Sequence, residues 1–310
     1  MKKLRFWLQP LLTVLVFLVA VWLLRRELKH YHFHEIAQSL RDIPARRVVT
    51  SLALMALNYL ILIGYEYQAM RAIGHPLEFK RIALGSFIGS AVSLNFGALL
   101  GGTPIRIRLY ASWGLSAVEI TKLMAMLGIT FWVGALSLAG IVFIFDPVPI
   151  PPELQLPVTN VRPLGFLFLI VAAAYVSLSA LRRKPINFRG QQFSLPSLGL
   201  TLNQILIASL DQMVAAGVMF ALVPATAAIT YPQFLGVYLL TVVAVLITHI
   251  PGGVGVLELI MLTLVESNDK EAMAAALIAF RVVYFLLPLL AAALLFLFYE
   301  CWNLLRPRKT

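Results

Sequence analysis

The chain has 310 residues, 60% of them hydrophobic and only 13% charged, with a net charge of +11. A soluble domain carries roughly 25% charged residues, and several apolar runs here exceed the roughly 18 residues that mark a spanning helix. Composition therefore excludes a soluble enzyme and points to a polytopic membrane protein. Its positive charge reports orientation and contact with anionic lipid rather than nucleic-acid binding. The single cysteine, Cys301, excludes an internal disulfide framework and a cysteine-based zinc cluster.

Met1-Lys2-Lys3-Leu4-Arg5 precedes an apolar run from Phe6 to Leu24, followed by Arg25 and Arg26 without a small-residue cleavage site. This predicts an uncleaved first span rather than a signal peptide. Residues 25–47 carry six Lys/Arg, with Phe33, Ile36, Leu40 and Ile43 at helical spacing. They read either as a surface amphipathic helix or as a plain basic loop. His30, His32 and His34 fall here; their spacing of two does not suit one helical face, and no metal site is expected.

Val48–Met70 predicts the second span, with Asn58 and Glu66 inside it, and a polar stretch leads to a third from about Arg81 to Leu94. Asn95-Phe96-Gly97 and Gly101-Gly102-Thr103-Pro104 then interrupt the apolar pattern, with Arg106 and Arg108 just beyond. Ser116 and Glu119 form a capping box that starts a fourth span ending at Phe145. The Pro-rich loop 146–160 follows. The fifth span is Pro163–Leu181, and a basic loop holds Arg182, Arg183, Lys184 and Arg189. Leu198–Leu222, carrying Asp211, is the sixth span, and Tyr231–Thr248 the seventh. Pro251-Gly252-Gly253-Val254-Gly255 makes a second break. The apolar helix after it, Val254–Val265, rises only about 18 Å and is expected to be re-entrant. Ala272–Tyr299, with Arg281 and Pro288, is the last span.

Basic segments favour the cytoplasmic side. This places residues 25–47, residues 182–189 and the C-terminus inside, and the loops 146–160, 224–231 and 266–271 outside. That requires an odd number of crossings between 182–189 and 266–271, which a full seventh span plus a re-entrant short helix does not supply.

Charges within spans are functional-site candidates. Here they are Glu66, Asp211, Glu258 and Arg281, with Arg106 and Arg108 after the first break; mutual pairing, such as Arg281 with Glu258 or Glu266, is the structural alternative. Arg106 and Arg108 point to different sides of a helix, and Arg106 is favoured as the inward one. Backbone released at a break is tolerated at membrane depth only when buried in protein or lining a cavity. A half-helix beginning after Gly-Gly presents N–H groups and a positive dipole end, which with arginine suits a phosphate. Carboxylates suit an ammonium group or a proton. Together these describe a phospholipid. No Walker loop, nucleophile elbow or zinc-protease motif is present.

Gly101-Gly102-Thr103-Pro104-Ile105-Arg106 with Tyr110, Pro251-Gly252-Gly253-Val254-Gly255-Val256-Leu257-Glu258, and Arg281…Tyr284 with Pro288 resemble the lysylphosphatidylglycerol synthase transmembrane family, the flippase-like membrane half of the multiple peptide resistance factor. The resemblance implies a bacterial-type inner-membrane protein that moves aminoacylated phosphatidylglycerol, here without the soluble synthase domain. The family's membrane acids and arginine would fall on Glu66, Arg106, Asp211 and Glu258.

The expected fold is an all-α polytopic membrane domain over residues 1–310, of about eight transmembrane helices with two re-entrant breaks and an internal repeat. The expected function is phospholipid translocation by Glu66, Arg106, Asp211, Glu258 and Arg281 with Gly101, Gly102, Gly252 and Gly253. Partners would be anionic or aminoacylated phospholipids and a lipid-modifying enzyme. No cofactor, metal, catalytic residue or nucleic-acid partner is expected, and the C-terminus is expected to be cytoplasmic. A non-transporting partner of a lipid- or glycan-modifying enzyme is the alternative, with a phosphatidylglycerol lysyltransferase-type enzyme less favoured.

Overall fold

The computed structural model of the protein describes residues 41–149, 160–181, 186–188, 191–193, 196–248, 251–267 and 269–305. The first predicted span and the three-histidine cluster lie outside these residues. Five described helices are long and apolar enough to cross a membrane. They are α1 (Ala45–Ile73), α4 (Ala117–Phe145), α5 (Arg162–Leu181), α6 (Leu198–Phe220), and a continuous helix made of α9 (Lys270–Phe280), a wide turn at Arg281–Leu286 and α10 (Leu287–Leu305). Their outer faces expose large apolar side chains such as Leu60, Ile170, Leu294 and Phe298, a surface suited to lipid. The protein is an all-α polytopic membrane protein; among the described residues one short antiparallel ladder, β1 (Ile186–Phe188) and β2 (Gln191–Phe193), lies between α5 and α6.

The third and seventh predicted spans turn back instead of crossing. Helix α2 (Phe79–Phe96) runs into a wide turn at Ala98–Gly102 and returns as α3 (Thr103–Ser112). A Cβ added at Gly85 would lie 2.7 Å from the Tyr110 hydroxyl, one at Gly89 would lie 2.7 Å from the Arg106 guanidinium, and one at Gly102 would overlap Ser93. Position falls on α2 as it rises on α3, so the two are antiparallel. Gly85, Gly89 and Ser93, four apart, form the small-residue ridge that permits the approach. His75 contacts Glu119 at 2.9 Å, which puts both mouths of this hairpin on one face.

Helix α7 (Tyr231–Thr248) behaves likewise. Gly252, Gly253 and Gly255 take φ of 65°, 61° and 81°, left-handed values open to glycine. The chain reverses there into α8 (Val256–Leu264). A bridge between Ala227 and Ser267 joins the residues before α7 to those after α8, so this segment also enters and leaves on one face. The short helix after the second break is thus re-entrant as expected, and α7, expected to cross, forms its other arm.

These contacts define two faces. One holds residues 74–78 and 113–116, the end of α5, the start of α6 and the end of α10. The other holds residues 41–47, 146–149, 221–230 and 265–269. The sequence reading put residues 25–47 on the same side as 182–189. Among the described residues this fails at its C-terminal end: Arg47 donates to the Val223 carbonyl at 3.1 Å, while Gln68, far along α1, donates to that of Leu200. Helices α1 and α6 are antiparallel, and the basic cluster at Arg46 and Arg47 sits opposite the α5–α6 connection. The odd-crossing requirement is met because the whole of 231–264 is one hairpin and contributes no crossing.

The expected internal repeat takes a definite form. Helix α1, hairpin α2–α3 and helix α4 form one unit; helix α6, hairpin α7–α8 and the α9–α10 helix form another. Helix α5 lies between them and makes one crossing, so the second unit runs inverted relative to the first.

Candidate functional site

Each hairpin brings a buried arginine and a glutamate together. Arg106, on α3, is 7% exposed and Glu66, on α1, is 1% exposed. Arg106 Nε donates to Glu66 Oε1 at 2.8 Å and Nη2 to Oε2 at 3.3 Å. Its remaining donors reach Ser93 Oγ at 2.9 Å and Ser90 Oγ at 3.1 Å, and Tyr110 donates to Glu66 Oε1 at 2.8 Å. Glu66 lies seven residues before the end of α1, which places this pair about 10 Å below the face of residues 74–78.

The second pair lies toward the opposite face. Arg281 Nε donates to Glu258 Oε1 at 2.8 Å and Nη2 to Oε2 at 3.1 Å. Nη2 also reaches the Gly253 carbonyl at 3.1 Å, Nη1 reaches that of Gly252, and the guanidinium lies over the Phe285 ring. Pro288 has no N–H to give a carbonyl one turn back, and the helix widens immediately before it, at the turn carrying Arg281 and Tyr284. Glu258 Oε2 accepts from the Gly255 N–H at 2.8 Å, so it occupies the positive end of α8 as its own cap.

Asp211 joins neither pair. It accepts from Asn58 Nδ2 at 2.8 Å, Tyr65 Oη at 2.9 Å and Gln212 Nε2 at 3.3 Å. Asn58 Oδ1 accepts from Tyr284 at 2.9 Å. This cluster lies between the two pairs: Tyr65 precedes Glu66 on α1, and Tyr284 is one turn from Arg281.

The two breaks also meet. Asn95, the last buried polar residue before the first break, donates to the Phe285 carbonyl at 3.1 Å. A Cβ on Gly252 would lie 3.3 Å from the Asn95 carbonyl oxygen.

Sequence reasoning named Glu66, Arg106, Asp211, Glu258 and Arg281; all but Glu258, which is partly exposed, are buried here, arranged as two ion pairs and one acid among neutral donors. The glycines act differently from the expectation. The N–H groups of Gly101 and Gly102 both donate to the Gly97 carbonyl, at 3.1 and 3.2 Å, and are engaged rather than free. Gly252 and Gly253 offer carbonyls to Arg281. Arg106 and Arg108 diverge as expected, but Arg108 pairs with Glu300 at 2.9 Å, a partner the sequence reading did not identify. Ser90 and Ser93 were also missed, although the four-residue spacing of Gly85, Gly89 and Ser93 marks that face of α2.

The family described as "Lysylphosphatidylglycerol synthase TM region" matches residues 11–292. The Synechocystis sp. protein named "Uncharacterized protein slr0712" is 35% identical over 90% of this chain and 87% of its own length. "Inner membrane protein YbhN" of Escherichia coli is 33% identical over 94% of this chain and 92% of its own length. "Phosphatidylglycerol lysyltransferase" of Staphylococcus haemolyticus is 23% identical over 91% of this chain, which spans 33% of that longer protein.

Proposed function

The chain belongs to the lysylphosphatidylglycerol synthase TM region family, and on that premise we propose that this integral membrane protein translocates phospholipids with anionic or aminoacylated headgroups across a bacterial-type inner membrane. The observation that carries the reading is the pair of buried arginines, each forked onto a glutamate beside a re-entrant hairpin. A guanidinium binds carboxylate and phosphate with the same two-pronged geometry. A lipid phosphate can therefore replace Glu66 on Arg106, or Glu258 on Arg281, without leaving a buried cation unpaired. The displaced carboxylate then faces the headgroup and suits its ammonium. The pairs lie toward opposite faces on inverted units, an arrangement suited to opening one side at a time.

The face of residues 74–78 and the α10 terminus is assigned to the cytoplasm. Arg71, Lys80 and Arg81 border it, and the sequence joining α5 to α6 carries Arg182, Arg183, Lys184 and Arg189; the opposite face has Arg41, Arg46 and Arg47 but no Lys or Arg in residues 221–230.

Purified protein in liposomes should accelerate the exchange of fluorescent lipid between leaflets, and Arg106→Ala or Glu258→Gln should slow it. Exchange no faster than in empty liposomes for anionic, zwitterionic and aminoacylated lipids alike overturns the proposal.

A second reading follows from the lysyltransferase relatives, whose length is about three times the matched region. In it the protein is a membrane partner of a lipid-modifying enzyme. It predicts co-purification with that enzyme and arginine variants that fail only in assembly.

A further inference from the structure

We propose that Asp211 is a proton-binding site at the centre of the bundle, linked to both arginine pairs and serving the translocation cycle proposed above. Among the described residues, the other buried or partly buried acids on the membrane helices each face a base: Glu66 faces Arg106, Glu258 faces Arg281 and Glu300 faces Arg108. Asp211 is 4% exposed and has no Lys, Arg or His within ion-pair distance among those residues. A carboxylate so placed is costly in a bilayer and marks a proton or ion site when it is kept.

The surrounding chemistry selects a proton over a metal cation. Asp211 is met by donors: the amides of Asn58 and Gln212 and the Tyr65 hydroxyl. The one oxygen of Asn58 that could serve a cation is taken by Tyr284. A hard cation requires about six oxygen ligands, whereas a proton requires one acceptor. When Asp211 takes a proton from water it becomes a neutral acid, and its new O–H can donate to the Tyr65 oxygen, since a phenol both donates and accepts. Oδ1 keeps its bond from Asn58. The neutral acid thus keeps the Asn58 bond and reverses the Tyr65 bond, the Tyr65 hydroxyl turning away from Oδ2. Among the described residues, the titratable groups near Asp211 are phenols: Tyr65 of α1, which bonds it directly, and Tyr238 of α7 and Tyr284 of the wide turn.

The same contacts connect the site to both pairs. Tyr65 adjoins Glu66 on α1. Tyr284 reaches Asp211 through Asn58 and is carried by the turn that holds Arg281. Gain or loss of the proton changes hydrogen bonds to residues one step from each pair.

The test uses the full-length protein. In lipid nanodiscs, infrared difference spectra across a pH titration should show the band of a protonated carboxyl group. That band should vanish in Asp211→Asn, persist in Glu66→Gln and Glu258→Gln, and move its titration midpoint in Tyr65→Phe. Asparagine matches aspartate in shape and keeps the bond from Asn58, and a monodisperse elution profile checks that the variant is folded. In liposomes, a one-unit pH gradient should bias lipid distribution up to about tenfold in the wild type and leave Asp211→Asn unbiased. A band indifferent to Asp211→Asn overturns the proposal, as does lipid movement that follows a sodium gradient and ignores pH. If lipid moves under either condition, the translocation reading stands. A titrating Asp211 band with no lipid movement in any liposome supports the proton site and removes translocation.

Discussion

Tyr284 donates to Asn58 at 2.9 Å across 226 residues of chain, joining the second inverted unit to the first at the depth of Asp211. Both side chains are buried, and Asn58 uses both ends of its amide, one toward Tyr284 and one toward Asp211. Hydrogen bonds between membrane helices are worth about 0.6 kcal/mol on average and up to about 1.7 kcal/mol. A double-mutant cycle with Asn58→Ala and Tyr284→Phe should give a coupling near the upper end, read from unfolding in mixed micelles. Strict additivity would show that the two units are not joined here.

The Glu66–Arg106 pair separates structure from function. Removing one partner leaves the other charge buried, so Arg106→Leu alone should destabilise the fold by about 3–5 kcal/mol. The double variant Glu66→Leu with Arg106→Leu should recover most of that stability, because a packed apolar pair is often neutral or better than an ion pair. Lipid exchange should stay lost in both. A double variant that transports normally would reduce the pair to helix packing.

The first hairpin rests on absent side chains. Gly102→Ala should force α3 away from α2, since the added methyl overlaps Ser93, at a cost of about 1–3 kcal/mol. Ser93→Gly in the same chain should restore the packing. It should not restore exchange to wild-type rates, because Ser93 also holds Arg106. Thermal denaturation and the lipid assay, run in parallel, read these two effects apart.

Much of this architecture was legible in the sequence. The Ser116–Glu119 box marked the start of α4, both of its hydrogen bonds form, and among the described residues helix ends fell within three residues of those expected except at α10, which runs six residues past Tyr299. The charges inside apolar runs did identify the buried arginines and most of the buried acids. Two things were not legible. Helices α2 and α7 both read as spans in the sequence, and only contacts distant in sequence, His75 with Glu119 and Ala227 with Ser267, reveal that they turn back. Nor does a sequence say which arginine meets which acid. Arg108 read only as pointing to the other side of the helix from Arg106, yet it meets Glu300 from the far end of the chain.

The two-face assignment can be tested with thiols, since Cys301 is the single cysteine and is exposed. Cys301 should react with a membrane-impermeant reagent from the same side as cysteines placed at Glu78 and Ala111. In a Cys301→Ala background, cysteines at Arg46, Thr226 and Glu266 should react from the other side. Labelling of Thr226 and Glu266 from opposite sides would mean that α7–α8 crosses the membrane.

Arg281→Lys probes what the second hairpin requires of its cation. The guanidinium meets both oxygens of Glu258 and the carbonyls of Gly252 and Gly253 at once, on a planar fork. Lysine keeps the charge but presents its donors from a single point and cannot span that set. At least one glycine carbonyl should lose its partner, a loss worth about 1–3 kcal/mol for a buried group. Hydrogen exchange over residues 251–264 should therefore quicken while that over α1 and α6 stays near wild type. Lipid exchange should fall with it, because the same fork is what would receive a phosphate. Unchanged protection at the hairpin together with unchanged exchange would show that charge alone suffices at this position.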